Sequence, residues 1–141
     1  KYPISILKSY DGESFYNFCD NYKTNSSDSY IKFDFGPTNK VDLYSYFIQT
    51  NAGDPNWCHA KTWRIEGSND DKNWTEIDRK VNDSNLKGFK YQHLFECQLE
   101  NHGSKSNRYR YIRYFQENSW NKNKPYNVSM KYFELYGDVY T

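Results

Sequence analysis

The stretch WRIEGSNDDKNWTEI, Trp63 to Ile77, constrains this chain more than any other, because it spells two extended segments around a polar reversal. Trp63 and Ile65 alternate with Thr62, Arg64 and Glu66 at the two-residue period of a half-buried strand. Gly67, Ser68, Asn69, Asp70 and Asp71 then break the pattern with residues that accept positive φ or bond their own backbone, before Trp74 and Ile77 resume an apolar surface. The same period recurs elsewhere: Ile31, Phe33 and Phe35 alternate with Lys32 and Asp34, and Phe133 and Leu135 with Tyr132, Glu134 and Tyr136. Between them, residues 41–50, 61–66, 74–78, 91–99 and 109–116 are rich in β-branched and aromatic side chains, and no stretch carries a helical apolar stripe. Many short strands without alternating helices predict an all-β chain, an antiparallel sandwich or barrel.

The 141 residues form a single expected domain, residues 1–141, with no repeat and no linker. A mean hydropathy of -1.12 alone would suggest disorder, but 20% of the residues are Phe, Trp or Tyr, which disordered segments lack. With 19 basic and 18 acidic residues the net charge is +1, so no global field draws the chain to nucleic acid. The run RYRYIRYF, Arg108 to Phe115, interleaves arginines with aromatics as a single-strand binder does, yet reads better as a strand with inward aromatics and paired arginines. No apolar run reaches the roughly 18 to 20 residues that cross a bilayer. Lys1 in place of a methionine suggests a mature or excised segment, so the lack of a leader decides little.

Cys19, Cys58 and Cys97 are odd in number and form no CxxC, which fits neither a paired framework nor a zinc site; small buried hydrophobes are the expectation, one disulfide plus a free thiol the alternative. Catalysis finds little support. Of the histidines, His93 alternates with Phe95 and Cys97 as on a strand, His102 lies in the polar stretch NHGSKSN and reads as solvated, and none sits in a nucleophile–base context. No enzyme is expected.

In order, SYIKFDFG, VDLYSYFIQT, WRIEGSNDDKNWTEI, RYIRYFQENSW and YFELYGD spell a pattern that resembles a discoidin domain, also called the coagulation factor 5/8 C-terminal type, from about Ser29 to Asp138. SYIKFDFG and HLFECQ are most similar to the discoidin modules of BTB-containing protist and animal proteins. The resemblance implies a galactose-binding-like jelly-roll β-sandwich whose loops at one end hold the ligand: a sugar, a phospholipid head group, collagen or a protein. Many secreted members close the domain with a disulfide between its two ends. No cysteine here lies near the C-terminus, so the cytoplasm is the expected compartment.

For carbohydrate, an aromatic face must cover the apolar side of a pyranose while planar polar groups meet its hydroxyls. Trp57 and His59 in NAGDPNWCH, with Asn118, Trp120 and Tyr126 in QENSWNKNKPY, supply those types, and Arg113 is the candidate charged donor. Against this, a loop tryptophan is often a plug over the sandwich end and His59 a plain hydrogen-bonded loop histidine. Glu134 stands where the resemblance implies a structural calcium ligand, and Asp11, Asp20 and Asp28 offer further oxygens; an ion-free fold with no required cofactor is the expectation and calcium the alternative. The expected function is non-catalytic carbohydrate recognition. A protein-interaction domain of an intracellular adaptor is the second reading and phospholipid head-group binding the third, since Lys122 and Lys124 near Trp120 make only a faint basic collar.

Overall fold

The computed structural model describes residues 4–5, 30–50, 58–88, 91–98, 102–126, 128, 130 and 132–141. The strands are β1 (Ile4–Ser5), β2 (Tyr30–Asp34), β3 (Lys40–Gln49), β4 (Ala60–Ser68), β5 (Thr75–Lys80), β6 (Gln92–Glu96), β7 (Tyr111–Ser119) and β8 (Tyr132–Tyr140), with one 3-10 turn at Lys105–Asn107. They form two four-stranded antiparallel sheets, β1-β8-β3-β6 and β2-β7-β4-β5. The expected jelly-roll sandwich is thus the observed fold, and each run of strand-like sequence lies on a strand.

Alternation puts one parity of each strand into the core. Ile31 of β2, Leu43, Tyr46 and Ile48 of β3, Trp63 and Ile65 of β4, Ile77 of β5, Phe95 of β6, Ile112 and Tyr114 of β7, and Phe133 and Leu135 of β8 all pack there. Aromatic rings meet edge to face at its centre: Trp63 on Phe95 at 5.0 Å and Tyr114 on Phe133 at 5.5 Å between centroids. The polar tips are satisfied too. Trp63 Nε1 donates to the Tyr46 hydroxyl at 2.9 Å, and that hydroxyl donates to the buried Asp78 carboxylate, which also accepts from Lys80 Nζ at 2.9 Å and the Gln98 amide at 3.0 Å.

The reversal after β4 follows its sequence. Ser68 Oγ accepts from the amides of Asp70 and Asp71, and Asp70 Oδ1 from those of Lys72 and Asn73, while Asp71 takes a φ of 60°. Those amides, Asn73 first, hold the Asp70 carboxyl well below the usual carboxylate range. A bulge in β3 lets Leu43 face Gly137 and Ser45 face Tyr136, with Tyr44 extra between them. Gly137 is required there, since a Cβ would overlap the Asp42 carbonyl oxygen.

Two expectations about single residues change. His102 is not merely solvated: its Nδ1 lies 3.0 Å from the buried Asp42 carboxylate and its ring stacks on Tyr44 at 4.1 Å. Cys58 is no simple buried hydrophobe, because it is disulfide-bonded to a partner outside the described residues, while Cys97 carries a free thiol.

Candidate functional site

Strand polarity gathers the long connections at one rim. Gln49 at the end of β3 faces the start of β6 at Gln92 and of β8 at Tyr132, and Ala60 at the start of β4 faces Ser119 at the end of β7. The ends of β3, β5 and β7 and the starts of β4, β6 and β8 therefore lie on the same side of the sandwich. Backbone bonds lock them together. Thr50 N–H donates to the Tyr91 carbonyl at 2.8 Å, Asp83 N–H to that of Lys61 at 2.8 Å, and Trp120 N–H to that of His59 at 2.9 Å. Buried Leu86 anchors the 81–91 connection in the core, which places Lys87 at the rim surface.

Ser119 and Gln116 shape the loop that carries Trp120. Buried Ser119 Oγ accepts from Asn121 N–H at 3.1 Å and donates to the Lys124 carbonyl at 2.8 Å, while Gln116 Nε2 donates to the Pro125 carbonyl at 3.2 Å. The indole of Trp120 is half-buried, and its Nε1 is buried without a hydrogen-bond partner among the described residues. Two ammonium groups lie over its ring: Lys61 Nζ at 4.7 Å and Lys87 Nζ at 4.5 Å from the centroid. Sequence reasoning missed both lysines. Polar loops are full of such residues, and only the pairing of β4 with β7 and the Leu86 anchor bring these two to Trp120.

His59 is the second unusual group. It is 0% exposed, and neither Nδ1 nor Nε2 has a hydrogen-bond partner among the described residues, so it is not the plain hydrogen-bonded histidine that a loop position suggests. Burial pulls its pKa down to about 4, which keeps the ring neutral at physiological pH. A neutral imidazole offers one donor and one acceptor. His59 and Trp120, joined through their backbones, therefore bring two unsatisfied ring donors and one acceptor to the rim.

The other predicted ligand residues divide. Asn118 lies at the rim facing Thr62, with its Oδ1 accepting from Ser119 N–H at 2.9 Å, and Tyr126 is half-buried in the Trp120 loop. Trp57 lies outside the described residues, as do Asp11 and Asp20. Arg113 is elsewhere. It sits towards the far end of β7, facing Lys32 and Glu66, about 20 Å from Ser119 at ~3.3 Å per residue. There it bonds Glu66 at 2.8 Å and stacks on Trp74 at 4.0 Å. The reason is register: outward parity predicts that Arg113 reaches solvent, but not at which end of the strand.

That outer face of the second sheet is a closed ladder of charge. Arg64 bonds Glu66 and Glu117, Arg79 bonds Glu117 and Glu76, Arg110 bonds Asp34, and Lys32 bonds Asp71. The arginines of RYRYIRYF are paired as expected, but Tyr111 and Phe115 share their outward parity, and only Tyr114 of the β7 aromatics enters the core. Glu134 of β8 is half-buried opposite Phe47, and among the described residues no three His, Cys, Asp or Glu side chains converge as a metal site. No helix among the described residues is long and apolar enough to cross a membrane.

The sequence matches no family model and no curated protein. Solved structures do share the architecture. A fragment of a putative chitobiase from Bacteroides thetaiotaomicron superposes with a TM-score of 0.53 at 18% identity, covering 77% of this chain and 59% of that one. The module CBM32-3 of a family 31 glycoside hydrolase from Clostridium perfringens superposes with a TM-score of 0.51 at 16% identity, covering 91% of this chain and 87% of that one. This chain therefore spans 59% of the length of the chitobiase fragment and most of the length of CBM32-3, with which it shares the antiparallel β-sandwich fold.

Proposed function

We propose that this chain is a non-catalytic carbohydrate-recognition module that takes its ligand at the rim formed by His59, Lys61, Lys87, Asn118, Trp120 and Tyr126. The observation that carries the reading is the half-buried Trp120 ring, flanked by the Lys61 and Lys87 ammonium groups, at one rim of a sandwich shared with a carbohydrate-binding module. An aromatic face of that kind covers the apolar side of a pyranose while neighbouring polar groups meet its hydroxyls. The discoidin type suggested by the sequence motifs is the finer form of this reading. Fold alone is a weak warrant for ligand, so the rim chemistry must decide.

The disulfide at Cys58 supports an oxidising compartment rather than the cytoplasm expected from sequence, and with it a surface or secreted role over an intracellular adaptor.

A glycan array tests the reading. Wild-type protein should bind at least one glycan class, and Trp120→Ala, shown folded by its thermal melt, should lose at least tenfold in affinity for it. A folded wild type that binds no glycan would overturn the proposal.

A further inference from the structure

The lysines of the rim differ from the arginines on the outer face of the second sheet. On the outer face of the second sheet Arg64, Arg79, Arg110 and Arg113 each pair with a carboxylate. At the rim, Lys61, Lys87, Lys122 and Lys124 have no ion-pair partner among the described residues. Glu117, the carboxylate nearest Lys122 and Lys124 in sequence, is committed to Arg64 and Arg79. Four lysines thus gather at one rim of a chain whose net charge is only +1.

The position of two of these lysines bears on the ligand. Lys61 and Lys87 hold their ammonium groups within 5 Å of the Trp120 ring centroid, at 4.7 and 4.5 Å. A neutral pyranose stacking on that indole can offer those ammonium groups only neutral hydroxyl acceptors. A sugar with an anionic substituent instead engages each ammonium through a charge-assisted bond about twice as strong as a neutral one. A polycationic aminosugar would meet like charge.

From this we propose that the rim selects an acidic glycan, one whose sugars carry a carboxylate or a sulfate, with Lys61 and Lys87 binding the anion beside Trp120. The proposal rests on the carbohydrate reading above and specifies its ligand class.

Calorimetric titration of the whole chain with four probes separates the possibilities: oligogalacturonate for carboxylate, κ-carrageenan oligosaccharides for sulfate, and N-acetylated chito- and galacto-oligosaccharides as neutral sugars. The expected result is binding of one or both acidic probes at least tenfold tighter than any neutral one, weakening steeply from about 50 to about 500 mM salt. Lys61→Gln/Lys87→Gln removes two exposed ammonium–anion pairs at once and should weaken that binding about tenfold, with Lys61→Arg/Lys87→Arg largely restoring it and Lys105→Gln, at the opposite end of the sandwich, leaving it unchanged. Tighter or equal binding of a neutral probe overturns this inference and leaves carbohydrate recognition standing. Equal losses in Lys61→Gln/Lys87→Gln and Lys105→Gln reduce it to unspecific charge attraction and also overturn it. Binding of none of the probes or of any arrayed glycan overturns both.

Discussion

Replacing Tyr46 by phenylalanine removes one oxygen from the centre of the core and leaves the ring's shape intact. Tyr46 is 0% exposed, and its hydroxyl accepts from Trp63 Nε1 at 2.9 Å and donates to Asp78, itself 1% exposed. Burial and the neighbouring Asp78 carboxylate both push the phenol pKa well up, so the hydroxyl stays protonated and donating throughout the neutral range. Without it, Trp63 keeps a buried N–H with no partner, and Asp78 keeps only Lys80 and the Gln98 amide. A lost bond to a charged acceptor contributes about 1.5–3 kcal/mol, and an orphaned buried donor costs about 1–3 kcal/mol, so Tyr46→Phe should destabilise by about 3–5 kcal/mol. Urea unfolding followed by tryptophan fluorescence should show a lower midpoint at unchanged slope, since the surface exposed on unfolding hardly changes. Trp63→Phe removes the donor as well. In the double variant the two losses should therefore fall short of additivity by about 1 kcal/mol or more. A loss below about 1 kcal/mol for Tyr46→Phe, or an additive cycle, would refute the claim that Tyr46 satisfies both Trp63 and Asp78 across the core.

Acid should destabilise the fold through His59. Its folded pKa of about 4 lies below the ordinary value of 6.5, so the unfolded chain takes up the proton first, and stability is lost as pH falls through the window from 6.5 to 4. The loss is on the order of 3 kcal/mol, read as a falling thermal midpoint that His59→Phe should flatten. Reducing the Cys58 disulfide should cost about 2–4 kcal/mol, visible as a lower melting temperature with dithiothreitol and absent from Cys58→Ala. Gly137→Ala forces a methyl into the Asp42 carbonyl across the β3–β8 pair, where only backbone can yield; it should cost more than about 3 kcal/mol or prevent folding, as circular dichroism would show.

Most of the fold was legible because period-two alternation is a local property. Ile31 and Phe33, Trp63 and Ile65, and Phe133 and Leu135 each declare their inward face without knowledge of the partner strand. That His59, Asn118, Trp120 and Tyr126 meet at one end was implied by the resemblance, not by composition. What could not be read was anything set by register or by distant partners. Arg113 finds Glu66 47 positions away, His102 finds Asp42 60 positions away, and Lys87 reaches Trp120 only because Leu86 is swallowed by the core. The cysteines misled for a related reason. An odd count with no close spacing carries no pairing signal, and Cys58 shows its bond only in three dimensions.

The claim on which the account rests is that the Trp120 rim, and not the outer face of the second sheet, holds the ligand. Nitrogen-15 chemical-shift mapping during titration with the tightest-binding oligosaccharide from the array tests it most directly, because every strand residue reports at once. The account predicts shifts concentrated at His59, Lys61, Lys87, Asn118, the Trp120 indole N–H and Tyr126, with Lys32, Arg64, Trp74 and Arg113 unmoved. Shifts centred on Arg113 and Trp74 with a silent Trp120 indole, or no shifts at saturating sugar, would contradict it.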